Sequence, residues 1–85
     1  MSPAGQTQAT KRVQAAQRRA VAFGQNLRDS RRDGKVSQED LARRSGVDRT
    51  AISTYERGRR EPNLRTIVKL ARALGVAPAD LLRGL

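Results

Sequence analysis

The chain has 85 residues, room for one small core, and its 18 Lys and Arg against 8 Asp and Glu leave a formal charge of +10. That excess calls for an acidic partner, either nucleic acid or an anionic membrane surface. Having no Cys and no His, the chain lacks disulfides, zinc-finger ligands, a thiol nucleophile and the commonest general base. No apolar run approaches the roughly 20 residues of a membrane span, and the first ten residues lack the apolar centre of a secretory signal. A cytoplasmic protein of one domain, without a separate sensor domain, is expected.

Residues 1–10 are polar and contain Pro3 and Gly5, which predicts a mobile tail. From Lys11 to Ala22 the composition turns to Ala, Arg and Gln, all good helix formers, with four basic residues (Lys11, Arg12, Arg18, Arg19) and no acidic one. Val13, Ala16, Ala20, Phe23 and Leu27 recur at helical spacing, but alanines make a weak core face, so this segment is taken as an extension that prolongs the first helix at most. A basic arm touching phosphate and a solvated, partly ordered extension both fit, and the second is the reading adopted. Residues 1–20 are thus set apart from a domain at 21–85. Its first helix is expected over residues 21–33, ended by Gly34, with Gly24 marking a break or a close contact.

Ser37 and Asp40 form an S-x-x-D start signal for a second helix over about residues 38–45. Gly46 follows its last turn, where a left-handed residue ends a helix at no steric cost. Asp48 is expected to cap a third helix that Gly58 stops. Ala42 is small where two steeply crossed helices approach, and Ile52 fills the hollow below it. Leu41, Val47, Ile52 and Tyr55 then face inward, leaving Arg49, Thr50, Ser53, Thr54 and Arg57 outward on a short helix of DNA-reading outline. Asn63 caps a fourth helix with Leu64, Ile67, Leu70, Ala71 and Leu74 on one face. Gly75 ends it, and Pro78 and Asp80 open a fifth. No segment alternates with period two, so an all-α bundle of about five helices is predicted.

These residues resemble the Cro and repressor class of helix-turn-helix regulators, the xenobiotic-response-element family. The likeness spans roughly residues 21–82 and rests on Leu27, Arg28 and Arg31, on Ser37 and Gln38, on Ala42, Gly46 and Ile52, and on Glu56-Arg57-Gly58. Pro62, Leu64, Ile67, Leu70, Ala71, the Ala73-Leu74-Gly75-Val76 run and Leu81 extend it. Ser30 departs from an apolar position, Gly34 comes one place early, and the basic extension lies outside the shared region.

The resemblance implies a lambda-repressor-like domain that binds double-stranded DNA as a homodimer on a palindromic operator and regulates transcription, with no enzymatic activity, cofactor, metal or membrane contact. Arg49, Thr50, Ser53 and Thr54 fall at the base-contacting face. Arg49 suits a bidentate bond to guanine, and the threonines offer hydroxyl or methyl groups. Ser37, Gln38, Arg43, Arg57, Arg59 and Arg60 are the expected phosphate contacts, with Arg44 also basic there. Arg31 and Glu56 are assigned the family's internal ion pair. Leu81, Leu82 and Leu85 are expected at a dimer interface, one of them completing the core. The runs around Arg49 and Arg57 look most like restriction-modification controllers. An antitoxin that masks a toxin while binding its own operator is the alternative, and a nonspecific RNA or chromosome binder a third reading.

Overall fold

The computed structural model describes residues 7–85, so the expected tail lies outside it up to Gln6. Five helices follow in order: α1 Gln8–Asp33, α2 Gln38–Ser45, α3 Arg49–Glu56, α4 Leu64–Leu74 and α5 Pro78–Leu81. No strand occurs among the described residues. α1 packs on α3 and α5, α2 on α3 and α4, and α4 on α5. Phe23, Leu27, Leu41, Ile52, Leu70 and Leu81 are fully buried where these faces meet. The Phe23 and Tyr55 rings close the α1–α3 seam edge to face, with centroids 6.2 Å apart.

The first helix departs most from the sequence expectation. It starts at Gln8 rather than near Val21, so residues 8–10, expected in the tail, are helical. Thr7 caps it, its hydroxyl accepting from the Thr10 N–H at 3.1 Å. Good helix formers carry the chain through residues 11–20. Ala20 is buried, and Arg19 binds Glu61 at 2.7 Å, which ties this stretch to the loop after α3. At about 1.5 Å per residue a helix of this length outreaches the bundle. The molecule is accordingly 52 Å long and only 22 by 21 Å across.

Three helices end in one pattern. The N–H just after a pivot residue bonds back five residues and the pivot's own N–H bonds back three: Val36 to Arg31 and Lys35 to Arg32, Arg59 to Thr54 and Gly58 to Tyr55, Val76 to Ala71 and Gly75 to Arg72. The pivot residue must take positive φ. Gly58 and Gly75 do so at 69° and 70°, but after α1 the pivot is Lys35 at 56°, while Gly34 has an ordinary φ of −83°. Glycine therefore stands one place before the position that needs it. Swapping the pair, Gly34→Ala with Lys35→Gly, is expected to stabilise the fold by about 1 kcal/mol and raise Tm by about 4–8 °C. A Cβ at Gly34 meets only ordinary contacts of 3.5 Å. A thermal melt checks it, and an unchanged or lower midpoint would contradict the strain assigned to Lys35.

One residue of the fourth helix's expected face does not join it. By the 100° step of a helix, Leu64 lies about 70° from the stripe centred on Ile67 and Leu74. It is 74% exposed.

Candidate nucleic-acid interface

The α2–turn–α3 unit is fixed by short-range bonds. Ser37 Oγ accepts from the Asp40 N–H at 3.0 Å, and the Asp40 carboxylate turns outward to Arg43 instead of closing the second half of the box. Gly46, at φ 74°, donates to Ala42 O at 2.9 Å, and Val47 N–H reaches Ser45 Oγ at 3.1 Å. Asp48 precedes α3 but its side chain makes no cap bond, contrary to expectation. Its ψ of 138° falls short of the 164° and 168° at Ser37 and Asn63, whose side chains do cap. α3 begins on a backbone bond, Ile52 N–H to Asp48 O at 3.0 Å.

Behind this unit sits a buried polar cluster. Glu56, with its side chain 1% exposed, receives Arg31 Nε at 2.6 Å and Nη2 at 2.9 Å, a two-pronged contact, while Arg31 Nη1 donates to Val36 O at 3.0 Å. Gln38 Nε2 donates to Glu56 Oε1 at 3.2 Å, and Arg28 Nε lies 3.5 Å from the same oxygen. Burial pushes the Glu56 carboxyl up, but hydrogen bonds from Arg31 and Gln38 and the charges of Arg31 and Arg28 outweigh it and hold the group below its ordinary value. Donating to Glu56 raises the pKa of the Arg31 guanidinium against the opposing effect of burial. The cluster pins α1, the start of α2 and the end of α3 at one point.

With that frame set, Arg49 and Thr50 stand exposed at the start of α3, and Ser53 and Thr54 are half-buried one turn on. Thr54 Oγ1 donates to Thr50 O at 2.9 Å, leaving its methyl and lone pairs for other contacts. Arg57, Arg59 and Arg60 are exposed just beyond the helix, and Arg43 is exposed on α2. Ser37 is exposed, and its hydroxyl, occupied as an acceptor, keeps its proton to donate. Gln38 is half-buried with its amide turned inward to Glu56, so its backbone N–H and remaining amide proton are what it offers outward.

The three C-terminal leucines separate. Leu81 is buried in the core and cannot serve an outer face, whereas Leu82 and Leu85 are exposed. Leu64, read as core from its spacing, joins them as an exposed apolar side chain; its first-turn position at the edge of the stripe was the available signal. Asn26, which sequence reasoning passed over, donates to the backbone oxygens of Leu81 at 3.0 Å and Arg83 at 2.8 Å and so seats the C-terminus on α1. Nothing in its local sequence marks it.

The Helix-turn-helix family HTH_3 matches residues 27–81. The chain is 48% identical over 63 residues to the control protein C.BamHI of Bacillus amyloliquefaciens, covering 73% of this chain and 78% of that one. The crystal structure of the restriction-modification controller protein C.AhdI from Aeromonas hydrophila superposes with a TM-score of 0.71 at 47% identity, over 73% of this chain and 94% of that chain. The P22 c2 repressor in complex with a synthetic operator matches at a TM-score of 0.67 and 36% identity, over 74% and 96% of the two chains. The chain spans about half the length of other curated relatives it matches. With the family's residues covering more than half of the sequence and two helices meeting at Gly46 as described, the chain belongs to the helix-turn-helix family of the Cro and repressor type.

Proposed function

We propose that the protein is a sequence-specific, double-stranded-DNA-binding transcriptional regulator that works in the cytoplasm as a homodimer on a palindromic operator. The observation that carries this reading is the outward face of α3. Arg49, Thr50, Ser53 and Thr54 lie together on a short helix, and the Arg31–Glu56 cluster and the Gly46 turn hold that helix in place. At about 1.5 Å per residue α3 is roughly 12 Å long, matching a major groove about 12 Å wide. Ser37, Gln38, Arg43, Arg57, Arg59 and Arg60 flank it and take the phosphate contacts. Leu82 and Leu85 form the apolar face a second subunit covers. Under this reading no residue has a catalytic role, and no cofactor or metal is required.

The dimer sets both recognition helices on one face of the duplex, so the operator has half-sites about 10 base pairs, or about 34 Å, apart. Selection of binding sites from random duplexes is expected to return such a two-fold motif. On that motif Arg49→Ala costs about 1–3 kcal/mol and changes affinity for scrambled duplexes far less. Arg59→Ala and Arg60→Ala instead weaken all duplexes alike. Titrations of the three variants on both duplexes discriminate. Equal loss on specific and scrambled DNA with Arg49→Ala would show that α3 does not read bases through this residue.

A further inference from the structure

The first helix carries a surface that the helix-turn-helix does not account for. Lys11, Gln14, Arg18, Val21, Gln25, Arg28 and Arg32 recur at alternating steps of three and four, which places them along one face of α1. That face carries four positive charges and one carboxylate at its edge, Asp29, whose Oδ1 accepts from Gln25 Nε2 at 3.0 Å, and the sequence has no acidic residue before it. α1 meets α3 through Gly24 and Arg31, and it meets the C-terminal segment on its other flank through Asn26. Val21 and Arg28 lie towards the α3 flank, whereas Lys11 and Arg18 lie nearer the flank of Asn26, where Arg18 lines a hollow with Leu85.

Its C-terminal end reaches the proposed interface. Arg28 lies 3.5 Å from the same Glu56 oxygen that Gln38 holds, so stripe and first turn of α2 are contiguous there. Its middle is held in place too. Val21 sits over Gly58, where an added Cβ would come within 2.9 Å of the Val21 Cα, and the Arg19–Glu61 bond neutralises the carboxylate beside Arg59 and Arg60. Lys11 and Arg18 are exposed, and among the described residues neither makes a salt bridge. An arm already helical and anchored loses little further freedom on binding.

We propose that the N-terminal overhang of α1 is a second, sequence-independent DNA-contacting element, in which Lys11 and Arg18 bind backbone phosphates beyond those reached by α2, α3 and the loop after α3. The juxtaposition that carries it is a pair of exposed cations without salt bridges, Lys11 and Arg18, on a helical face that continues to Arg28 at the Gln38 end of the motif. It rests on the DNA-binding reading above and extends its footprint. The polyanion is duplex DNA rather than a membrane, because the stripe offers one apolar residue, Val21, too little for burial among acyl chains.

The test is the double variant Lys11→Gln/Arg18→Gln, glutamine preserving helix propensity as circular dichroism verifies. Salt-dependent titrations on the selected operator and on scrambled duplexes are expected to show a slope shallower by about 0.9 for each lost contact, roughly 2 per protomer. Affinity at 0.1 M salt falls tens-fold on both duplexes, and their ratio is unchanged. Lys11→Arg/Arg18→Lys retains the slope, since a phosphate accepts either cation. Arg12→Gln, off the stripe, changes affinity less than twofold. An unchanged slope with Lys11→Gln/Arg18→Gln, while the wild type still prefers its operator, overturns the arm and leaves the α3 reading standing. A reduced slope in a protein with no preferred duplex sustains the arm and overturns the α3 reading. Binding to phosphatidylglycerol vesicles that depends on Lys11 and Arg18, with the DNA slope unmoved, assigns the stripe to a membrane surface and overturns the proposal.

Discussion

Replacing Arg31 by methionine is expected to lower the free energy of unfolding at neutral pH by about 3–5 kcal/mol, the range for removing one partner of a buried ion pair. The loss comes from the charge left behind more than from the bond removed. Glu56 has its side chain 1% exposed, and without the two bonds at 2.6 and 2.9 Å only Gln38 and the more distant Arg28 would face it. The double variant Arg31→Met/Glu56→Leu should accordingly be more stable than Arg31→Met alone, because it removes the stranded carboxylate together with its partner.

The pH dependence has a defined sign. In the wild type Glu56 is held below its ordinary value of 4.5, so its contribution is fully present above that value and is lost as pH falls through the lower folded value. In Arg31→Met burial dominates and the carboxyl rises, so the folded variant takes up a proton that the wild type does not. The stability gap between the two proteins should therefore begin to narrow above pH 4.5, as pH falls through the raised value in the variant, and go on narrowing until pH passes the lowered value in the wild type. Urea unfolding at a series of pH values measures this. A gap constant with pH would show that packing of the Arg31 side chain, rather than the charge on Glu56, sets the cost.

The parts of the fold legible in the sequence were those governed by residues near one another in the chain. Ser37 and Asn63 cap as their type and position suggest, and Gly46, Gly58 and Gly75 take the left-handed turns that end α2, α3 and α4. Where two solutions compete at similar cost, local reasoning loses. Gly34 does cap α1 after Asp33 as expected, but the left-handed residue is its neighbour Lys35, which residue type alone does not reveal. The helical overhang of α1 was obscure because its alanine stripe is too weak to announce a partner, and what anchors it, Arg19 to Glu61, is 42 residues away in sequence. Leu81 and Leu82 are adjacent leucines, and only the packing of α5 on α1 and α4 decides that the first is core and the second surface. At the candidate interface, residue types and spacing identified the outward face of α3, whereas the inward turn of the Gln38 amide depended on where Glu56 lies in three dimensions.

Gly24 shows how far one such contact can reverse a local rule. In an exposed helix interior, glycine to alanine gains about 1 kcal/mol in propensity. Here a Cβ on Gly24 would lie 2.2 Å from the Tyr55 carbonyl oxygen and 3.0 Å from that of Glu56, with backbone on both sides and no flexible side chain to yield. To relieve it α1 and α3 must separate by about 1 Å, which loosens the Phe23–Tyr55 ring contact and lengthens the Arg31–Glu56 bonds together. Gly24→Ala is therefore expected to destabilise by about 3 kcal/mol net of the propensity gain. Gly24→Val, with two more carbons and a stiff β-branch, should leave little folded protein at 25 °C, given a total stability of roughly 5–10 kcal/mol for a domain of this size. Because the seam holds α3 in place, Gly24→Ala should also weaken discrimination between specific and scrambled duplexes, without touching either one. Urea unfolding combined with binding titrations tests both effects, and a Gly24→Ala protein as stable as the wild type would mean that α1 and α3 are not in backbone contact at this residue.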